Sequence, residues 1–412
     1  MNAPGQTVSF DFSPHHTMRI TTPIPEMGSG PISTASVTDP AYYELERERI
    51  FKRSWLQVGR VEEVPDVGDY FTRELDVLST NVIVIRGKEG QVRAFHNMCT
   101  HRGMALGTQS CGNKRAFACE FHGWVFGLDG RLLDVPAVAA FPGLDKSNLG
   151  LRPLACDVWN GFIFIHWQPQ PQVGLVEFLG QLGRDMEGFP FERCSHIAHY
   201  SAKVKANWKV CIDAFQEAYH ATYLHRHAIP GAGDIELALP TSVRFHGPHR
   251  SVSCWLKNDL VPTPAEAVAY QHCAASFSKP PELELRGVNP DGDESWWFDI
   301  NVFYPNFFCD LGGGWYFTYN FWPTAVNETI WNMNIYQLDA TSAGERIVQE
   351  FTRVVLRDTV YEDMSTVELS QKAFDSGVIR QQMLGDTEIA VRHQYWVTEQ
   401  LIREQALPGV QW

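Results

Sequence analysis

The segment Cys99–Trp124, CTHRGMALGTQSCGNKRAFACEFHGW, carries more metal-ligating side chains than any other short run of this chain. Cys99 and His101 form a C-x-H pair, Cys119 and His122 form a C-x-x-H pair, and 17 residues separate the two pairs. A single Cys or His is more often a buried side chain without a ligand. Two such pairs, each beside a glycine that lets the backbone turn tightly, predict that two loops present their side chains to one metal centre.

Zinc is the obvious alternative, because two Cys and two His form a common tetrahedral set. Zinc fingers, however, usually pair Cys with Cys and His with His, whereas here each loop supplies one of each. This arrangement favours a [2Fe–2S] cluster of the Rieske type, with two Cys on one iron and two His on the other. Cys111 lies outside both pairs, so we do not expect it to be a ligand.

The composition is that of an ordinary globular protein. The chain has 412 residues, 44% hydrophobic and 20% charged, which predicts two domains or one elaborated domain. A net charge of −14 disfavours nucleic acid as a partner. We find no apolar run of membrane-spanning length and no secretory h-region at the start, so we expect a cytoplasmic protein that does not bind membranes. The nine cysteines show no disulfide-like framework.

The pattern of the chain predicts an α+β protein. Short alternating runs with glycine turns between them indicate a small antiparallel β domain, and the second half mixes strands with a long helix, which indicates an antiparallel sheet flanked by helices. We predict an N-terminal arm and helix over 1–45, which packs on the larger domain, the small β domain over 46–170, and the larger domain over 171–412.

The run CTHRGMALG…CEFHGWVFGLDG resembles the Rieske ferredoxin motif of the Rieske non-haem iron oxygenases, the family of the aromatic ring-hydroxylating dioxygenases. The resemblance extends from about residue 40 to 400. It implies that 46–170 is a Rieske [2Fe–2S] domain and that 171–412 is a catalytic domain with a mononuclear Fe(II), in the terminal oxygenase α subunit of an EC 1.14 oxidoreductase. The implied cluster ligands are Cys99, His101, Cys119 and His122.

A second motif, NWKVCIDAFQEAYHATYLH at residues 207–225, resembles the iron-binding motif of that family. Oxygen-activating iron commonly binds two His and one carboxylate. His220 and His225 are five residues apart, too far for stacking on a regular helix, so we expect a helix end or a π-type widening between them. Glu217, three residues before His220, would share its face. Alone, the motif also fits an amphipathic helix with histidines at its polar edge.

The resemblance implies a third iron ligand late in the chain. In LRDTVYEDMSTVELSQ the best match is Asp363, with three nearby acidic competitors, Asp358, Glu362 and Glu368. His393 is expected to be structural.

By the same resemblance, such chains form rings of three α subunits, with or without a β subunit. Glu217 is then expected to join His220 to His122 of the adjacent subunit by hydrogen bonds, as the bridge for electron transfer between the two metal centres. Asp213 is an alternative with a poorer spacing. The bridge is often Asp in the ring-hydroxylating members of the family, whereas this chain has Glu, as do some members that act on quaternary amines.

The resemblance further implies that a separate reductase, with or without a ferredoxin, delivers electrons from NAD(P)H, because the chain shows no convincing nucleotide-binding motif. Phe215 is expected to contact the substrate. We expect hydroxylation of an aromatic or hydrophobic small molecule, as in aromatic hydrocarbon catabolism. The alternative is a monooxygenase or demethylase acting on a methylated amine, including a quaternary ammonium, or on an ether.

Two hypotheses that assign the chain to other functional classes also follow from the motifs. A non-enzymatic Rieske electron carrier accounts for the first motif but leaves the second unexplained. A zinc-stabilised binding module accounts for the cysteines and predicts a colourless protein.

Overall fold

A computed structural model describes residues 8–11, 17–20, 24–225, 227–228, 242–255, 264, 267–269, 285–293 and 296–405. The chain divides into two compact units, one spanning 47–178 and the other built from residues before and after it. The domain limits at 45/46 and 170/171 stay predictions. Among the residues described, no helix is both long enough and apolar enough to span a bilayer.

Runs of consecutive strands are separated by a few helices, as expected of an α+β protein, and this fold class is confirmed. The strands are β1 (Val8–Asp11), β2 (Thr17–Ile20), β3 (Ile32–Ser33), β4 (Trp55–Arg60), β5 (Asp69–Leu75), β6 (Thr80–Arg86), β7 (Val92–His96), β8 (Cys111–Asn113), β9 (Phe117–Ala118), β10 (Val125–Phe126), β11 (Leu132–Asp134), β12 (Pro153–Trp159), β13 (Phe162–His166), β14 (Cys194–Val204), β15 (Ser242–His246), β16 (His249–Trp255), β17 (Trp296–Phe303), β18 (Phe307–Gly312), β19 (Trp315–Ala325), β20 (Glu328–Leu338) and β21 (Gln381–Gln382). The helices are α1 (Ala35–Thr38), α2 (Pro40–Arg49), α3 (Leu175–Asp185), α4 (Trp208–Asp213), α5 (Ala221–Leu224), α6 (Ala343–Asp375) and α7 (Ile389–Ile402).

The smaller unit contains an antiparallel sheet in the order β4-β13-β12-β7-β6-β5-β8 and a small antiparallel sheet in the order β11-β10-β9. Its strands are rich in β-branched and aromatic residues, which suits a pleated, half-buried surface. The first cysteine pair lies in the connection from β7 to β8, and the second lies in the connection from β9 to β10. The two sheets therefore each contribute one of the two loops.

The larger unit is built on a sheet whose described strands follow the order β1-β2-β15-β16-β17-β18-β19-β20-β14, antiparallel except between β2 and β15. The predicted long helix is α6, whose first turn is closed by a capping box between Ser342 and Glu345. Helix α6 and the segment after α4 both carry residues that line one cavity together with residues of β16–β19. This arrangement creates the site described below.

A buried ion pair joins α2 to α4 within the larger unit. Glu46 and Lys209 are both fully buried and hydrogen-bonded to each other, and Glu46 also accepts a hydrogen bond from Trp208 Nε1 at 2.9 Å. Removing one partner of such a pair leaves a buried charge without compensation, which costs about 3–5 kcal/mol. We expect Lys209→Met to lower the unfolding temperature of this unit clearly in scanning calorimetry.

Lys203→Met is the matched control, because Lys203 pairs with Glu328 at 2.8 Å and is 63% exposed. Exposed pairs contribute at most about 1 kcal/mol. Equal shifts for the two variants would show that the Lys209 pair is not a major source of stability.

Candidate functional site

The two cysteine loops have the same backbone geometry. In each, the cysteine N–H donates to the carbonyl five residues later, and the glycine N–H donates back to the cysteine carbonyl, all at 2.8 Å. The glycines have φ values of 82° and 72°, a region that other residues rarely adopt. The residues are Cys99, Gly103 and Met104 in one loop, and Cys119, Gly123 and Trp124 in the other.

The four predicted cluster ligands converge at these loops. Cys99 and Cys119 are buried in one apolar core, and the rings of His101 and His122 lie 4.6 Å apart between centroids. The indole of Trp124 stacks on His101 at 4.7 Å and restrains that ring. Cys111, in contrast, is exposed on β8.

This donor set fits a [2Fe–2S] cluster. Burial, with Cys119 beside it, raises the pKa of the Cys99 thiol, so a thiolate here needs a positive centre next to it. The Nδ1 atom of His101 is buried and has no hydrogen-bond partner among the described residues. A buried imidazole nitrogen without a partner is costly, and coordination to iron would satisfy it.

A second group of ligands forms in the larger unit. The Nε2 atoms of His220 and His225 are 3.0 Å apart, and Asp363 Oδ1 lies 3.2 Å from the first and 3.1 Å from the second. At metal–ligand distances of about 2.1 Å, three neighbouring ligands of an octahedron are about 3.0 Å apart. The three residues therefore fit one face of a metal site whose other positions stay open, as oxygen-activating iron requires.

The backbone between His220 and His225 contains a helix end, one of the two alternatives that the spacing predicts, and not a π-type widening. Helix α4 ends at Asp213, residues 214–220 are not helical, and the short helix α5 occupies the interval between the two histidines. The Glu217 carboxylate accepts the backbone N–H groups of Tyr219 and His220, which stabilises the turn. Because His220 and His225 flank α5, both rings reach the same point without a π-type distortion.

A carboxylate contacts the Nδ1 atom of each histidine, the ring nitrogen that does not face the other ligands. Glu217 Oε1 lies 2.5 Å from His220 Nδ1, and Glu362 Oε2 lies 3.0 Å from His225 Nδ1. A carboxylate at Nδ1 favours the tautomer with the proton on that atom and leaves the Nε2 lone pair free to bind a metal. Burial lowers the pKa of His220, but the negative charges of Glu217 and Asp363 have the larger effect and raise this pKa to about 10, so a metal that binds Nε2 displaces a proton from the ring.

The structure separates the acidic candidates on α6. Of the four candidates, Asp358, Glu362, Asp363 and Glu368, only Asp363 reaches both histidines, and it is buried. Glu362 lies behind His225, Asp358 pairs with Arg357 at 2.6 Å, and Glu368 accepts the N–H of Lys205 at 2.9 Å.

The remaining predicted residues lie outside the ligand group. Asp213, the alternative bridge, accepts a hydrogen bond from Tyr395 Oη at 2.8 Å, and burial raises its pKa to about 8. His393 is buried in a stack on Phe245 at 4.3 Å. Phe215 is buried, and its ring centroid lies 4.9 Å from that of Tyr319. As expected of a residue that contacts the substrate, it lines the cavity next to the histidines.

That cavity has a volume of about 140 Å³ and a largely apolar wall. Among the residues described, no Lys or Arg lines it. Its ionisable lining residues are Glu217, His220, His225, Cys254, Asp310, Tyr319 and Asp363, and its other aromatic residues are Phe215, Trp297, Phe298, Trp315 and Phe317.

Sequence reasoning missed two features of the site. Arg250 is fully buried and donates to Gln216 at 2.5 Å and to Gln394 at 2.6 Å, which fixes the residue next to Glu217. Asp310 enters the cavity wall from β18. The sequence feature that could have identified Asp310 is a carboxylate within the otherwise apolar run FFCDLG, because a carboxylate is unusual in a buried strand.

Two family models match this chain. Residues 54–149 match the Rieske [2Fe-2S] domain, and residues 191–404 match the ring hydroxylating alpha subunit (catalytic domain). The chain belongs to the Rieske non-haem iron oxygenase family. The smaller unit of this Rieske oxygenase is thus the domain type that binds a [2Fe–2S] cluster, and the larger unit is the type that binds mononuclear iron.

Known members of the family differ in substrate. Over 195 residues the chain is 35% identical to choline monooxygenase from Spinacia oleracea, covering 46% of this chain and 44% of that one. Over 226 residues it is 34% identical to the biphenyl 2,3-dioxygenase alpha subunit from Rhodococcus jostii, covering 52% and 48%. The matched part is thus less than half of either relative.

The fold of the Rieske oxygenases extends over nearly the whole chain. A crystal structure of the quaternary ammonium Rieske monooxygenase CntA superposes with a TM-score of 0.70 and 22% identity, covering 91% of this chain and 95% of that one. At this level of identity the likeness establishes the fold alone.

Proposed function

We propose that the chain is a terminal oxygenase that uses O₂ and externally supplied electrons to hydroxylate a small molecule. The observation that carries this proposal is that His220, His225 and Asp363 face an apolar cavity in a chain that also contains a Rieske domain. An electron carrier has no use for such a cavity. When bound, the cluster supplies single electrons at a raised potential and the iron activates O₂.

Each ligand residue has a defined task in this proposal. Cys99, Cys119, His101 and His122 hold the cluster, and His220, His225 and Asp363 hold the iron. Glu217 and Glu362 retain the protons on the two Nδ1 atoms, so that each Nε2 stays available to the metal. The apolar wall keeps bulk water from the reacting centre.

Glu217 is the proposed hydrogen-bonded bridge for electron transfer to the iron site. It lines the cavity and also a second depression, which it shares with Asp213, Tyr223 and Glu388. A residue that reaches both sides of His220 is suited to connect it to His122 of an adjacent subunit. Inter-subunit electron transfer has been described for CntA. We infer that three copies of the chain form a homotrimer, with or without a β subunit. A reductase, with or without a ferredoxin, supplies its electrons. Cytoplasmic location stays a prediction.

Two substrate classes suit the cavity. An aromatic or other hydrophobic molecule is supported by the many rings in its wall and by the biphenyl dioxygenase relative. A methylated amine or ether, oxidised at a methyl group, is supported by the choline monooxygenase relative and by the Asp310 carboxylate in the wall.

Metal analysis of protein purified without oxygen tests the proposal. We expect about three irons and two acid-labile sulfides per chain, and a low-average-g EPR signal after dithionite reduction. Zinc in place of iron, or no such signal, contradicts the oxygenase proposal.

A further inference from the structure

Asp310 is a carboxylate in the cavity wall that the proposed iron chemistry does not use. It lies in the buried strand β18, is 2% exposed, and pairs across the sheet with Phe317 of β19. Its side chain lines the same cavity as His220 and Asp363. It is therefore placed to contact whatever occupies that cavity.

No described residue supplies a positive charge to Asp310. Its hydrogen bond comes from the backbone N–H of Asn301 at 3.1 Å. Glu217 and Asp363, the other carboxylates of the cavity, each lie against a histidine. Burial raises the pKa of Asp310 well above its usual value, as expected of a carboxyl group without a neighbouring cation. Burying such a group is costly, and a positively charged ligand would offset that cost.

Aromatic rings surround the space next to Asp310. The rings of Trp315 and Phe317 stack at 5.3 Å, and Phe317 lies 5.1 Å from Tyr319. On the neighbouring strand β17, Trp297 and Phe298 also line the cavity. Ring faces attract organic cations, most strongly when water is excluded.

The size of the cavity matches a small cation. Its volume of about 140 Å³ is close to the ~150 Å³ of an apolar protein cavity that binds benzene. A trimethylammonium group is similar in size to benzene. Asp310 lines this same small cavity together with His220, His225 and Asp363. A cation held at Asp310 is thus held near the three iron ligands.

We propose that Asp310 selects the substrate by binding the positive charge of a methylated ammonium group, whose methyl groups pack on the surrounding rings. This inference rests on the proposed oxygenase function and narrows its substrate to a cation. The neutral aromatic class is the alternative that the experiment must distinguish.

Binding of two matched probes tests the proposal without turnover. Tetramethylammonium and neutral tert-butanol are titrated by calorimetry into the anaerobic holoenzyme, and into Asp310→Asn loaded with the same cluster and iron. We expect wild type to bind the ammonium at least about tenfold more tightly than the alcohol. Asp310→Asn keeps the shape of the side chain but not its charge, so we expect this preference to fall to about twofold or less.

Asp299→Asn is the matched control. Asp299 is also a buried carboxylate, on the adjacent strand β17, but it accepts hydrogen bonds from Ser253 Oγ at 2.6 Å and from the N–H of Asn289 at 2.8 Å, and does not line the cavity. We expect this variant to show at least the wild-type preference, because the charge of Asp299 raises the pKa of Asp310 and its removal favours the charged carboxylate. An equal loss in both variants would show that the effect is not a contact with Asp310.

Comparison of the two probes on the wild-type protein tests the proposal even if Asp310→Asn fails to fold. Wild type that binds tert-butanol as tightly as tetramethylammonium, or that does not bind the ammonium at millimolar concentration, overturns the role of Asp310. If cluster and iron are present in that protein, the oxygenase proposal stands. If they are absent, the oxygenase proposal itself fails.

Discussion

His225→Ala is expected to remove the mononuclear iron and to leave the cluster intact. The substitution deletes one of three ligand atoms that lie 3.0–3.2 Å from one another, and it leaves Glu362 without its imidazole partner. Loss of only a supporting carboxylate typically costs 10- to 100-fold in metal affinity or activity, so loss of a ligand should lower turnover by more than about 100-fold. Iron analysis, visible absorption and product formation measure the three effects.

The cluster should survive because its four proposed ligands lie in the other compact unit. His199→Ala is a suitable control, since His199 is on β14 and contacts Asn334 at 2.9 Å outside the site. It should keep both iron centres. Loss of the cluster spectrum in His225→Ala, with the mononuclear iron retained, would mean that the two ligand sets are assigned wrongly.

Glu217→Ala is expected to keep the cluster, to bind iron more weakly, and to slow product formation by about 10- to 100-fold even in the fraction that holds both metal centres. The reason is that Glu217 holds His220 Nδ1 and also reaches the second depression, so its loss interrupts the proposed path of electrons to the iron. Stopped-flow absorption, which follows reoxidation of the reduced cluster in the presence of O₂ and substrate, measures this step directly.

Glu362→Gln separates electron transfer from simple support of a histidine. Glu362 supports His225 in the way that Glu217 supports His220, but it does not line the second depression. We expect this variant to bind iron more weakly while the cluster reoxidises at a normal rate in the iron-loaded fraction. Normal reoxidation in Glu217→Ala would remove Glu217 from the electron path.

The cluster ligands could be predicted from the sequence because each pair is local, so that one loop brings its Cys and His together. Asp363 is distant in the chain from both histidines, and its choice over Glu362 depended on family resemblance. Consecutive residues of a helix point about 100° apart, so only the rotation of α6 determines which carboxylate meets the metal and which lies behind His225.

The helix break after Asp213 was not predicted because it depends on a side chain, Glu217, that accepts backbone N–H groups which a continuous helix would use elsewhere. Asp310 was missed for another reason. Whether a strand residue faces the cavity or the opposite side of the sheet depends on register with β17 and β19, which no local pattern determines.

Helix α6 has a consequence for attempts to change the substrate range. Val355, Leu356, Thr359 and Val360 line the cavity, and Asp363 follows Val360 within one turn of the same helix. A larger side chain at Val355 or Val360 that displaces the helix to make room for itself also displaces the carboxylate. Variants selected at these positions for a new substrate should therefore be examined for altered iron spectroscopy, because substrate range and metal geometry are adjusted by the same rigid element.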